Sequence, residues 1–487
     1  QSVVSRKTSF KEDTINFIEM PEKDEFNLIL SSVDEIHENI RNTRSNDLLL
    51  FEKCKVENLT GDVAEITCTK FEESEKVIRA DLDDKNDDNE QKNDSKDNVK
   101  NQGIVENGEN TVIKSEGMKI LFGVNQQDGS DIIWEPNNTD ILFHTNTGII
   151  GTMGTGKTQF TKSLITQLYL QRKNNIGDED LGILIFDYKG DYNESKHDFI
   201  DATNATILKP YQLPFNPLSL TKSKVFKPLL PIHTANAFKD TISKVYGLGP
   251  KQQDTLFQCI IETYAICGIQ AANPSSWDNE APTFEQVYQT YANDEDVKKN
   301  DSLAAAMNKL HQFQVFENNP NQTKPLFDIL HGVVVIDLSG YDSDIQSLIV
   351  AITLDLFYVQ MQAAGSSKLE GKYRQLTKLI LVDEADNFMS EGFSSLKKIL
   401  KEGREFGVGT ILSTQFLKHF GSGDDDYAKY ILTWIVHNVA DLKTSDVDFV
   451  FKSESKSLES QRIFNDIKQL KKHYSIVKIS SEKPKYI

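Results

Sequence analysis

The sequence predicts an α/β fold built on a mainly parallel sheet, and three features predict it. From about Gly117 onward, short apolar runs alternate with long helical segments, the pattern of parallel strands joined through helices. One such run, TGII, leads into GTMGTGKT and then into the helical TQFTKSLITQLYLQR. Another, KLILV, ends directly in Asp383 and Glu384.

The apolar runs place strands at residues 148–150, 181–186, 205–208, 333–337, 378–382 and 408–413. Between about 225 and 321 the period changes to that of helices, as in DTLFQCIIETYAI and SLAAAMNKLHQF, and this stretch reads as a helical insertion. Residues 117–487 therefore form one domain. Residues 1–80 read as a small N-terminal accessory domain, with a helical stretch at 33–41 and the strand-like runs LLLFEKCKV and DVAEITCTKF. Between the two lies an acidic linker, 81–116. Its first twenty residues hold eight Asp or Glu, four Lys, four Asn and only two apolar residues, too little to offset the entropy of ordering.

The chain has 487 residues, of which 38% are hydrophobic, enough for at least one large core. Its net charge of −19 argues against a uniformly basic protein that coats nucleic acid, so any DNA contact must be local. The four cysteines, Cys54, Cys68, Cys259 and Cys267, form no C-x-x-C pair and no zinc spacing, as expected of reduced thiols in a cytoplasmic protein. Apolar runs such as LILV and VVVI are of strand length, far short of the roughly 20 residues a membrane span needs, and no signal-peptide pattern opens the sequence. Gln1 in place of Met suggests a piece of a longer polypeptide.

Gly151, Gly156, Lys157 and Thr158 satisfy G-x-x-x-x-G-K-[ST] with a strand before and a helix after. In such a loop, successive backbone N–H groups turn inward around an anion at the positive end of the next helix. Gly151, Thr152, Met153, Gly154, Thr155, Gly156, Lys157, Thr158 and Gln159 are therefore the expected phosphate cradle for ATP. Lys157 reaches the β- and γ-phosphates, and Thr158 ligates Mg²⁺. Phe160, Leu164, Ile165 and Leu168 recur at helical spacing and face the core.

Asp383 and Glu384 stand where strand ends deliver side chains to a nucleotide crevice. Asp383 is the expected magnesium-side carboxylate, and Glu384 the base that deprotonates water, a group hydrolysis needs and a kinase does not. The following helix carries Phe393, Leu396, Ile399 and Leu400 on one face, and Arg404 lies at its end. Arg404 is expected to act as an arginine finger offered to a neighbouring subunit. VGTILSTQ then gives a strand ending in Gln415, placed to sense the γ-phosphate or the attacking water.

GTMGTGKT, LIFDYKGDY, PFNPL, VVVIDLSG, LILVDEAD and EGREFGVGTILSTQ, in that order, resemble the HerA and FtsK superfamily of ring-forming DNA-pumping ATPases, closest to the HerA side. The resemblance implies a RecA-like core of the ASCE type, which bears an extra strand and a catalytic glutamate. Asp187 and Asp191 match the family's acidic segment at the second strand, and Asp383 and Glu384 its Walker B pair. Gly403, Arg404, Phe406, Gly407, Gly409 and Gln415 match its G-R-x-F-G-x-G segment and strand-end glutamine. More narrowly, FDYKGDYN, LPFNPL and IIGTMGTGKTQFTKSL are similar to the ATPase part of DNA phosphorothioation-dependent restriction systems, in bacterial defence against DNA without a backbone sulfur mark.

The resemblance implies a hexameric ring, ATP at subunit interfaces, double-stranded DNA in the channel, and nuclease and other defence proteins as partners. The 225 residues from Thr158 to Asp383 suit such a motor better than a small nucleotide kinase, whose two motifs stand closer. Two other readings compete: a non-translocating regulatory NTPase, and a conjugation or secretion ATPase docked at a membrane complex. Lys222, Lys224 and Lys227, or the lysines after Lys468, are candidates for DNA contact.

Overall fold

The run GILIFD at Gly182–Asp187 is buried at every position, and the computed structural model shows why. Alternate residues of a strand point to opposite faces, so a strand covered on both faces is apolar throughout. Leu184 and Phe186 enter one core, shared with the helical insertion. Ile183 and Ile185 enter the other, shared with the helix that follows the glycine-rich loop.

The structure describes residues 117–487 apart from 178–179, 296–299, 386–391, 421–426, 455–456 and 481, together with the backbone of 12–16, 51–60 and 63–70. The chain divides into two compact units, 1–108 and 109–487. In the first, β1 (Glu12–Asn16), β2 (Phe51–Thr60) and β3 (Val63–Lys70) form an antiparallel sheet in the order β1-β3-β2. The two strand-like runs of the sequence are thus strands β2 and β3, while the expected helix at 33–41 and the acidic linker lie outside the described residues.

The second unit opens with a hairpin, β4 (Ile120–Val124) and β5 (Asp131–Trp134). It continues through β6 (Thr147–Ile150), α1 (Lys157–Leu170), β7 (Gly182–Asp187), α2 (His197–Thr203) and β8 (Thr206–Leu208). Four helices follow: α3 (Leu230–Tyr246), α4 (Pro250–Ile266), α5 (Phe284–Asn293) and α6 (Ser302–Gln312). After the single turn α7 (Leu326–Ile329) come β9 (Gly332–Asp337), α8 (Ser343–Ala364), the short β10 (Leu369–Glu370) and β11 (Tyr373–Arg374), β12 (Lys378–Val382), α9 (Ser394–Glu402) and β13 (Val408–Thr414). The chain ends with β14 (Thr433–Val436), α10 (Thr444–Phe451), α11 (Leu458–Gln469), β15 (Ile476–Ile479) and β16 (Lys485–Tyr486).

Nine strands form one sheet in the order β16-β15-β14-β6-β13-β12-β7-β9-β8. From β14 to β8 all neighbours are parallel; at the β14 edge β15 alone runs the other way, paired antiparallel to both β14 and β16. All six expected strands are present within a residue or two of their bounds. The mainly parallel α/β sheet that the sequence predicts is therefore correct. The edge from β14 to β16 lies outside the six strands the apolar runs mark.

One polar tie fixes the stacking of helices on the insertion face. Asp355 of α8 is half-buried, and its partial desolvation raises its carboxyl pKa against the Ser395 and Thr241 hydrogen bonds. It accepts from Thr241 Oγ1 of α3 at 2.6 Å and from the Ser395 hydroxyl of α9, joining three helices at one point. Helix α8 is also, among the described residues, the one helix long and apolar enough to cross a membrane. Its most apolar window is 61% buried within the fold, as expected of a core helix.

Candidate functional site

The loop at 151–158 joins the C-terminal end of β6 to α1, and its geometry follows from its glycines. Gly154 and Gly156 have φ of +83° and +111°, a region side chains disfavour. At Gly156 a Cβ would also lie 2.8 Å from the His473 ring. No side chain caps the first turn of α1 and no acidic residue sits in it, so its positive end is left for an anion. Thr155 and Thr152 have a structural part: Thr155 Oγ1 donates to Thr152 O at 2.7 Å, and Thr152 Oγ1 accepts from Ala440 N at 2.9 Å. Met153 and Gln159 are exposed and Thr158 is half-buried, while Lys157 is buried, its ammonium donating to Gly151 O. In α1, Leu164, Ile165 and Leu168 are buried in the core, and Phe160 packs against it half-buried.

The end of β13 and the C-terminal segment buttress this loop. Gly151 N donates to Thr414 O at 3.2 Å, Thr152 N to Asn438 O at 2.8 Å, and His473 N to Thr155 O at 2.9 Å. His437 lies beneath Gly151 and is 2% exposed. Burial, helped by the Lys157 charge, lowers its pKa to about 4, so it is neutral at pH 7.

The sheet order then sets the chemistry. The strand of the acidic pair, β12, does not touch the strand of the phosphate loop, β6; β13 runs between them. In register, Val382 pairs with Leu412 on one side and Phe186 on the other, so the three strands end within two residues of one another. Asp383, Gln415 and the segment after Asp187 therefore converge on the same edge. Gln415 Nε2 donates to Glu384 Oε2 at 3.0 Å, and the Lys189 ammonium pairs with Glu384 Oε1. Burial alone would raise the Glu384 pKa, but the Lys189 and Gln415 bonds outweigh it and hold it below the usual glutamate value. Asp383 is 5% exposed, and burial raises its pKa. Its carboxylate accepts from Glu384 N at 3.0 Å and from Tyr192 Oη at 3.2 Å.

Asp187 has a role the sequence did not suggest. It is buried and accepts four backbone N–H groups, from Lys189 at 3.2 Å, Gly190 at 2.9 Å, Asp191 at 3.0 Å and Tyr192 at 2.7 Å. A carboxylate so engaged folds the FDYKGDY turn around itself and directs Lys189 to Glu384 and Tyr192 to Asp383. Asp191 is half-buried beside Lys162, whose pKa burial lowers against the Asp191 charge. Lys189 and Tyr192 stand inside the same FDYKGDY motif as the two acids, so the sequence carries a signal for them. For His437 and His473 the sequence carries no signal, since only the pairing of β14 with β6 brings that segment to the loop.

Arg404 is not brought to this edge. It is exposed, and it precedes β13 at the end opposite Gln415. Seven strand residues at about 3.3 Å per step put the two ends roughly 20 Å apart. There Arg404 stands beside His144, whose pKa burial, and then the Arg404 charge, lower to about 4. Among the described residues no group of three or more His, Cys, Asp or Glu could hold a metal ion by itself. The Thr158 hydroxyl and the Asp383 carboxylate are nevertheless hard oxygen donors of the kind Mg²⁺ takes one or two at a time, together with substrate phosphates.

A phosphate loop, an acidic pair and a strand inserted between them define a RecA-like P-loop ATPase fold. Residues 138–357 match the family described as Helicase HerA, central domain, a match that ends before the strand of Asp383 and Glu384. Among solved structures, VirB4 of Thermoanaerobacter pseudethanolicus aligns over 76% of this chain and 96% of its own, with 13% identity and a TM-score of 0.56. The plasmid coupling protein TrwB in complex with ADP and Mg²⁺ aligns over 70% of this chain and 84% of its own, with 13% identity and a TM-score of 0.42. None of the curated proteins compared with the chain matches it. The family match spans less than half of the chain, and the likeness to VirB4 at 13% identity is a likeness of fold.

Proposed function

We propose that the chain is the ATP-hydrolysing subunit of a motor that moves double-stranded DNA, within a phosphorothioation-dependent restriction system of the DptH (DndH) kind. The observation that carries the hydrolytic part is the convergence of Gln415 and Lys189 on Glu384, one strand removed from the phosphate loop. A carboxylate fixed there can take the proton of a water whose oxygen bonds to the γ-phosphorus as the bond to the β-phosphate oxygen breaks, releasing ADP and phosphate. Lys157 and the N–H groups at the start of α1 bind the phosphates, and His437, neutral in its pocket, adds no charge behind them. Mg²⁺, held by Thr158 and Asp383, would neutralise charge on the β- and γ-phosphates.

Arg404, which precedes β13 at the end opposite Gln415, is assigned to the site of a neighbouring subunit in a homo-oligomer, six-fold by resemblance. Exposed Lys222, Lys224 and Lys227, and Lys468, Lys471 and Lys472 near the phosphate loop, are the candidate contacts to DNA phosphates. Nuclease and other defence proteins complete the system. The test is ATP turnover with and without long double-stranded DNA, on material whose mass is measured by light scattering. Strong stimulation on a hexamer-sized particle supports the motor; DNA-indifferent turnover on a monomer supports a regulatory NTPase instead.

A further inference from the structure

The insertion face of the fold carries a slot with no part in nucleotide chemistry. It lies between α3 and α8, walled by Leu230, Ala237 and Phe238 of the first helix and by Ile352, Leu356 and Val359 of the second. These positions recur at helical spacing, so each helix turns one stripe to the slot. From Leu230 to Thr241 the α3 stripe runs about 16 Å. Residues 217–227 and the turn at Pro274–Asp278 close the slot, where the Phe226 ring stacks on Trp277 with centroids 5.9 Å apart. The cavity volume is about 420 Å³, within the range of small-ligand sites. Its lip is apolar and uncovered, with Val225 80% and Phe226 65% exposed.

Charge is distributed unevenly along the slot. Asp355 is the one acid among the described lining residues, and both its oxygens are taken, Oδ2 by Thr241 at 2.6 Å and Oδ1 by the Ser395 hydroxyl. Of the lining lysines, Lys222 pairs with Asp278, whereas Lys224 and Lys227 are exposed and have no ion-pair partner among the described residues. The Lys224 ammonium lies beside Gly365, at the C-terminal end of α8, and Asp355 stands about 15 Å back along that helix. One end of the slot is therefore cationic and open, the other acidic and tied shut. We propose that the slot binds an organic anion with an elongated apolar body, the chemistry of a medium-chain acyl carboxylate. Its chain lies between α3 and α8, and its carboxylate meets Lys224 and Lys227. Burial of the chain supplies most of the affinity, and the lysines select the charge. Asp355 at the far end disfavours a second anionic group, so the ligand is a monocarboxylate. DNA phosphates would engage the lysines but leave the slot beneath them unfilled.

The experiment is isothermal titration of the full chain with hexanoate, octanoate and decanoate, and with neutral octanol, at several temperatures and below micelle-forming concentrations. No nucleotide is present, so the outcome is independent of the assignment of Glu384. One site per chain is expected, with a negative heat-capacity change and an affinity that rises about fourfold for each added CH₂. Octanol should bind about fivefold or more weakly than octanoate. The double variant Lys224→Glu, Lys227→Glu should lose that preference and hold octanol within about twofold of the unchanged chain. Ala237→Trp fills the slot and should abolish binding of every ligand. If that variant fails to fold, Val359→Trp replaces it, from the opposite wall and a position already 39% exposed. The absence of decanoate binding at every temperature overturns the proposal, as does decanoate binding that survives in the filled slot. Octanol binding as tight as that of octanoate overturns it too, since the lysines then select nothing. A short peptide alternating Leu and Glu that binds more tightly than decanoate, and is lost in the same variants, puts a protein segment in place of the acyl anion and overturns the proposal.

Discussion

Gln415 donates to Glu384 across 3.0 Å, and it does so from the strand that separates the acidic strand from the phosphate loop. The amide is a fixed link between the edge of β13 and the side chain assigned as base. Gln415→Ala should lower kcat by about 10- to 100-fold while nucleotide affinity changes little, because the lost contact orients rather than binds. Steady-state kinetics with a separate binding titration would check this. A tenfold loss of affinity at unchanged kcat would remove Gln415 from the catalytic step.

Glu384→Gln keeps the shape of the side chain and loses its charge. The variant should bind ATP and hydrolyse it at least about 100-fold more slowly, the usual worth of a positioned general base. Normal turnover would sink the assignment.

Arg404 stands at the far end of β13 from the site its own chain builds. Arg404→Ala should lose turnover yet retain nucleotide binding. Mixed with Lys157→Ala subunits, it should recover part of the activity, since some interfaces then combine an intact loop with an intact arginine. The absence of recovery at every mixing ratio would count against action between subunits.

Asp187 is buried beneath four backbone N–H groups, so its truncation strands donors as well as removing an acceptor. Asp187→Ala should cost about 1–3 kcal/mol of stability and also disturb turnover, because Lys189 and Tyr192 lose their shared anchor. Asp187→Asn should fall between the two. Denaturant midpoints alongside kcat would resolve both effects.

His437 supplies a pH dependence whose sign is fixed. Its folded pKa of about 4 lies below the 6.5 of an unperturbed histidine, so the unfolded chain binds the extra proton. Stability is full above pH 6.5 and falls as pH drops from there toward 4, by up to about 3 kcal/mol from this residue. Thermal midpoints at pH 7.5 and pH 5 should differ less in His437→Gln than in the unchanged chain.

The sequence by itself determined the sheet strands that are long and apolar, the glycine-rich loop with its flanking strand and helix, and Asp383 and Glu384 at a strand end. Each is written in one short stretch, in the period of burial or in the need for residues without a side chain at positive φ. Tertiary structure decided what needs several stretches at once. Strand order placed β13 between β6 and β12 and so brought Gln415 to Glu384. The turn around Asp187 sent Lys189 and Tyr192 across to the acidic pair, and the pairing of β14 with β6 carried His437 beneath Gly151. Local pattern records which face of a strand is buried. Which strand lies next to which depends on crossovers and long-range packing, whose contacts join residues hundreds of positions apart.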